Sequence, residues 1–140
     1  MAWCSTKPPD SEVRALSAGW LAKARTDLLA CDALFAQGAE LWEAVAFHAQ
    51  QTVEKALKAV LVAHQVEFSK THDIERLLDL LAHAEPALTH AAADAAELTP
   101  FGVEYRYPGE YPPVSRAAAA SALAIARRVY EEAARRTTAQ

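Results

Sequence analysis

The stretch Leu41-Trp42-Glu43-Ala44-Val45-Ala46-Phe47-His48-Ala49-Gln50-Gln51-Thr52-Val53-Glu54-Lys55-Ala56-Leu57-Lys58-Ala59-Val60-Leu61-Val62-Ala63 decides how the chain is read. Leu41, Val45, Ala49, Thr52, Ala56, Ala59, Val60 and Ala63 fall on one side of a 3.6-residue period, and Glu43, Gln50, Gln51, Glu54, Lys55 and Lys58 fall on the other. The pattern predicts an amphipathic helix over about Ala39–His64, the longest in the chain. Glu54 and Lys58 form an i,i+4 pair in the favourable order, worth about 0.3 kcal/mol on an exposed face. His48 sits where the two faces meet. It is expected to hydrogen-bond to a neighbouring helix, the alternative being a polar group that lines a cleft.

Upstream, Leu16, Trp20, Ala24, Leu28, Cys31 and Phe35 recur at helical steps from Ser11 to Gln37, and Gly38 ends the run. Asp27 and Asp32 lie off this stripe and read as solvated. Met1 to Asp10, with Pro8 and Pro9, reads as a flexible lead-in. Downstream, Gln65–Lys70 is a connector, and Thr71 caps a helix from Asp73 to about Ala84 striped by Ile74, Leu77, Leu78 and Leu81. Glu85 and Pro86 break the pattern before an alanine-rich segment, about Ala87–Leu98. Ser115 caps a last helix that runs to about Arg136, with Ala119, Leu123, Ala126 and Tyr130 on one face. The prediction is an all-α, up-and-down bundle of four long helices plus a shorter one, a single domain over 11–137.

The 140 residues are 52% hydrophobic and 23% charged, ordinary for a chain that buries its own core. Met1–Asp10 lacks the apolar centre of a secretory signal, and no apolar run approaches the ~20 residues of a membrane span. A reduced, cytoplasmic setting is expected, with Cys31 a small core residue. His83 and His90 have none of the spacing of metal ligands, so neither a metal nor another cofactor is called for. A net charge of -4 argues against blanket nucleic-acid binding. Any contact with RNA or a nucleotide has to be local.

One segment breaks the helical texture: Leu98-Thr-Pro-Phe-Gly-Val-Glu-Tyr-Arg-Tyr-Pro-Gly-Glu-Tyr-Pro-Pro113. Prolines and glycines mark it as a loop. It also gathers Phe101, Tyr105, Tyr107 and Tyr111 around one cation, Arg106. Such packing can hold a guanidinium ready for an anion or a planar ring. The alternative is a pinned turn with Arg106 paired to Glu104 or Glu110.

Phe47-His48-Ala49-Gln50-Gln51-Thr52-Val53-Glu54-Lys55-Ala56-Leu57-Lys58-Ala59 resembles the signature second helix of the HEPN domain family. Thr71-His72-Asp73-Ile74 and Glu104-Tyr105-Arg106-Tyr107-Pro108 resemble later blocks of that family, in the same order, across roughly Trp20 to Tyr130. The resemblance implies a helical bundle that forms a homodimer. It also implies the RNase-type toxin of a toxin–antitoxin pair, with an MNT-type (minimal) nucleotidyltransferase as partner. The family's RNases work without metal, and their marker is an arginine followed four to six residues later by histidine. Arg106 matches that arginine, but Tyr111 stands where the histidine would be. The resemblance therefore assigns catalysis to Arg106 and Tyr111, with Tyr111 either assisting or accepting AMP from the nucleotidyltransferase. Arg106, Tyr107, Tyr105, Lys55 and His48 form the expected RNA- or nucleotide-binding set. The missing histidine leaves an alternative, a non-catalytic nucleotide-binding or adaptor subunit for the nucleotidyltransferase.

Overall fold

The computed structural model describes residues 10–138. The expected lead-in lies outside them except for Asp10, which already opens the first helix. The helices are α1 (Asp10–Gln37), α2 (Trp42–Ala63), α3 (Ile74–Leu81), α4 (Pro86–Ala91) and α5 (Arg116–Thr138). Tighter 3-10 turns occupy Ala39–Leu41, Ala93–Gly102 and Glu104–Arg106, and the described residues contain no strand. The all-α bundle is as expected. The lengths differ: α1 with 28 residues, not α2 with 22, is the longest, α5 has 23, and α3 and α4 have only 8 and 6.

α2 is the axis of the bundle and packs against α1, α5, α3 and the Ala93–Gly102 stretch. Its apolar side is buried as predicted, but so is much of the side read as solvated. Gln50 is 0%, Glu54 3% and Lys58 5% exposed. Periodicity separated the two faces correctly; it did not reveal that the polar face is also covered. Buried polar groups must find partners or carry a large desolvation penalty. Here they find one another. Glu54 Oε2 accepts from Lys58 Nζ at 3.0 Å, and its Oε1 accepts from Gln50 Nε2 at 3.2 Å and from His72 Nδ1 at 2.9 Å. Gln50 Nε2 also donates to the His72 carbonyl at 3.0 Å, tying α2 to the turn that starts α3. The Lys58 ammonium lies 5.3 Å from the Trp20 ring centre and 5.7 Å from that of Phe68. No buried side-chain nitrogen or oxygen among the described residues lacks a partner.

α1 is rotated slightly from its predicted stripe. Leu16 is exposed, while Val13 and Ser17 turn inward and the Ser17 hydroxyl donates to the Ala59 carbonyl at 2.8 Å. Gly38, with φ at +110°, turns the chain from α1 toward α2 in a region that L side chains rarely enter. Thr71 and Asp73 accept backbone N–H groups at the start of α3, and the Ser115 hydroxyl accepts the Ala118 N–H at 3.0 Å at the start of α5.

The segment predicted as one helix over Ala87–Leu98 divides instead. α4 stops at Ala91 and the chain tightens into a 3-10 path through Gly102. Pro100, which has no N–H, cannot support α-helical bonding there. At Gly102 an added Cβ would stand 2.6 Å from the Gln50 side chain, so only glycine fits beside α2. Thr99 completes the join by accepting the Ile74 N–H at 3.2 Å.

The basic C-terminal helix is not an open cationic strip. Arg127 pairs with Asp32, Arg128 with Asp94 and Arg135 with Glu132, while Arg136 bonds both Glu85 and Glu132. The contacts with Asp32, Asp94 and Glu85 fasten α5 to α1, to the 3-10 stretch and to the residue preceding α4, while those with Glu132 stay within α5. No described helix is long and apolar enough to cross a membrane.

Candidate functional site

The Glu104–Arg106 turn lies against the start of α2. The Arg106 guanidinium carbon sits 4.9 Å from the centre of the Phe47 ring. It has no ion pair with any described residue, so the pairing with Glu104 or Glu110 considered from sequence does not form. The loop aromatics stack in a row: Phe101 and Tyr105 are 4.8 Å apart between ring centres, and so are Tyr105 and Tyr111. Between this row and α2 opens a cleft of about 280 Å³, lined by Glu43, Ala44, Phe47, Phe101, Tyr105 and Arg106. An arginine that is stacked on a ring, exposed and unpaired keeps its planar set of N–H donors available to an anion.

The expected site residues separate into two groups. Tyr105 lines the cleft together with Arg106, and Tyr111 packs on the Tyr105 ring without lining the cleft itself. Tyr107 is 67% exposed and does not join that row. His48 and Lys55 are committed elsewhere. Both bind Asp27 on α1: the His48 Nδ1–H donates to Oδ1 at 2.8 Å and Lys55 Nζ to Oδ2 at 2.6 Å. Asp27, read from sequence as solvated, is therefore a buried anchor, 8% exposed. Burial pushes its carboxyl pKa up, but the hydrogen bonds from His48 and Lys55 and their charges outweigh this, and it lies below its ordinary 3.8. The two groups still touch, because the Phe47 ring under Arg106 meets the His48 ring edge-on at 5.0 Å. Cys31, buried beside α2, has its thiol pushed up to about 12 by burial and by the nearby Asp27 and Asp32 charges, which leaves it an inert core residue.

Glu43, Phe47 and Phe101 line the cleft without having been singled out as site residues. Phe101 was visible as one of the loop aromatics. Glu43 and Phe47 are one turn apart on α2 and reach Arg106 only through the fold. The one sequence signal was that an i,i+4 pair places both on the same side of that helix.

Comparison with known proteins agrees with this architecture. The HEPN domain family model matches residues 17–136. A solved structure, TT1696 from Thermus thermophilus, is similar to this chain with a TM-score of 0.67 and 26% sequence identity, covering 86% of this chain and 97% of that one. No curated protein matches.

Proposed function

The chain belongs to the HEPN domain family, and from that premise we propose that it is the RNase-type toxin of a toxin–antitoxin pair, acting as a homodimer with an MNT-type nucleotidyltransferase as partner. The carrying observation is the Arg106 guanidinium, stacked on Phe47 with no carboxylate partner at the mouth of an aromatic cleft. Single-stranded RNA offers such a cleft both a phosphate for the cation and a base for the rings.

In the proposed reaction an RNA 2′-hydroxyl attacks the adjacent phosphorus. The P–O5′ bond breaks, leaving a 2′,3′-cyclic phosphate and a 5′-hydroxyl. One proton leaves the 2′-oxygen and one is delivered to O5′, while the developing charge on phosphorus needs a cation. Arg106 holds that phosphate. Tyr111, 43% exposed and braced by Tyr105, offers a hydroxyl at the edge of the same row, either for proton transfer or as the acceptor of AMP. No metal is assigned a part.

A second reading is favoured by one observation: Tyr111 occupies the position of the family's histidine and packs its ring into the aromatic row. On that reading the protein is a non-catalytic nucleotide-binding or adaptor subunit for the nucleotidyltransferase. RNA cleavage by purified protein in chelator, with Arg106→Ala and Tyr111→Phe alongside, separates the two. Cleavage that disappears with Arg106→Ala is the expected result. A rate unchanged by Arg106→Ala sinks the assignment, and binding without cleavage by the wild type selects the adaptor.

A further inference from the structure

The cleft beside Arg106 has a second charged wall. Glu43 lines it too, from the first turn of α2, one turn before Phe47. Its carboxylate has no ion pair or hydrogen bond to any described residue, and it does not pair with Arg106 although both border the same space. This sets Glu43 apart from the buried carboxylates along α2, Glu54 and Asp27. Glu54 and Asp27 are saturated with donors. A carboxylate and a guanidinium that share a cleft and leave each other alone are available to a ligand carrying both donors and negative charge.

The apolar lining narrows the class of that ligand. Phe47, Phe101 and Tyr105 present ring surface, which suits a flat heterocycle. Among nucleobases, guanine alone presents two adjacent N–H donors, N1–H and the 2-amino group, to the two oxygens of a carboxylate. Adenine and cytosine turn a ring-nitrogen lone pair toward it beside their single amino group. Uracil flanks its one N–H with two carbonyls. Both arrangements set lone pairs against the Glu43 charge. We infer that the cleft is a guanine-selective subsite, with Glu43 accepting from the Watson–Crick edge of the base, the aromatic side chains stacking on its faces and Arg106 taking the phosphate. This rests on the proposed RNA-directed function and adds the base that the site selects.

Calorimetric binding of GMP, IMP and AMP to the full-length protein tests it, since inosine lacks only the 2-amino group. The expected result is GMP bound about tenfold or more tighter than IMP or AMP, the size of a good two-point base contact. Glu43→Gln should bring GMP down to the level of IMP, and Arg106→Ala should weaken all three nucleotides alike. Equal binding of GMP and AMP to the wild type overturns the inference, as does a GMP preference that survives Glu43→Gln. If Glu43 instead pairs with Arg106 of a second copy of the chain, Glu43→Gln weakens dimerisation in sedimentation and leaves the GMP-to-IMP ratio unchanged, which also overturns it. RNA bound without regard to guanine content defeats the subsite alone. Failure to bind any nucleotide or RNA defeats the RNA-directed function with it.

Discussion

The polar interior of α2 and the Arg106 cleft use similar residues in opposite ways. Along α2, Gln50, Glu54, Lys58 and the facing Asp27 are nearly or wholly out of water, and their polar atoms are hydrogen-bonded. At the cleft, Glu43 and Arg106 are exposed, adjacent to rings and without a charged partner. A buried charge is tolerated only when paired, so the first arrangement is structural by necessity. An exposed charge has no such requirement. Two opposite charges that border one cleft yet remain separate leave room between them for something else. Satisfaction of charge is what distinguishes the buried network along α2 from the cleft.

The comparison breaks most visibly at Glu54. Glu54→Ala strands the Lys58 ammonium in the core and removes an acceptor from His72 and Gln50. Stability should fall by about 3–5 kcal/mol, read as a lower urea midpoint at unchanged slope. Replacing the pair together, Glu54→Leu with Lys58→Met, should recover most of that loss. A small effect of Glu54→Ala would mean that this network does not hold the bundle together.

Asp27→Asn should come next, at about 1.5–3 kcal/mol at neutral pH, because a charged acceptor is lost from both His48 and Lys55. The sign with pH follows from the lowered carboxyl pKa. The contribution is complete above the unfolded value near 3.8 and is lost as pH falls through the still lower folded value. Denaturation curves of wild type and Asp27→Asn should therefore converge in strongly acidic solution. Curves that stay parallel throughout would show that the carboxylate charge is not what matters.

Gly102→Ala tests the seam between the two regions. The new methyl group would meet the fully buried Gln50 side chain at 2.6 Å, and Gln50 is held by its own hydrogen bonds. A loss of about 1–3 kcal/mol is expected, together with weaker nucleotide binding, because the displaced 3-10 stretch carries Phe101. Loss of stability with binding untouched would show that the cleft is independent of the seam.

What was legible in the sequence divides along the same line. The α2 repeat, Gly38, the Thr71–Asp73 cap and Ser115 are local signals, and local signals suffice for helices and their ends. The proline-, glycine- and tyrosine-rich segment around Arg106 was equally conspicuous because it breaks the helical period. Cover was not legible. A 3.6-residue period states which residues share a face, but whether Glu54 and Lys58 are dry depends on the His72 turn and on Trp20 and Phe68, which lie elsewhere in the chain. The cover over Asp27 is hidden for the same reason, since its partners are on another helix. No local pattern ties Glu43 and Phe47 to Arg106, because that relation exists only after α2 and the loop have packed.

The smallest stability effect belongs to the residue with the largest proposed functional one. The Arg106 side chain makes a single described contact, its stacking on Phe47, and exposed cation–π pairs are worth about 0.5–1 kcal/mol. Arg106→Ala should thus unfold within about 1 kcal/mol of the wild type while losing most of its affinity for mononucleotides. Arg106→Lys sharpens the point. It keeps the charge and gives up the planar fork of donors, so it should retain the stability but only part of the phosphate binding. Should lysine bind as well as arginine, charge alone holds the anion, and the stacking on Phe47 has no part in presenting it. Should both variants lose several kcal/mol of stability, Arg106 belongs with Glu54 in the framework, and the contrast between the two regions fails where it is drawn most sharply.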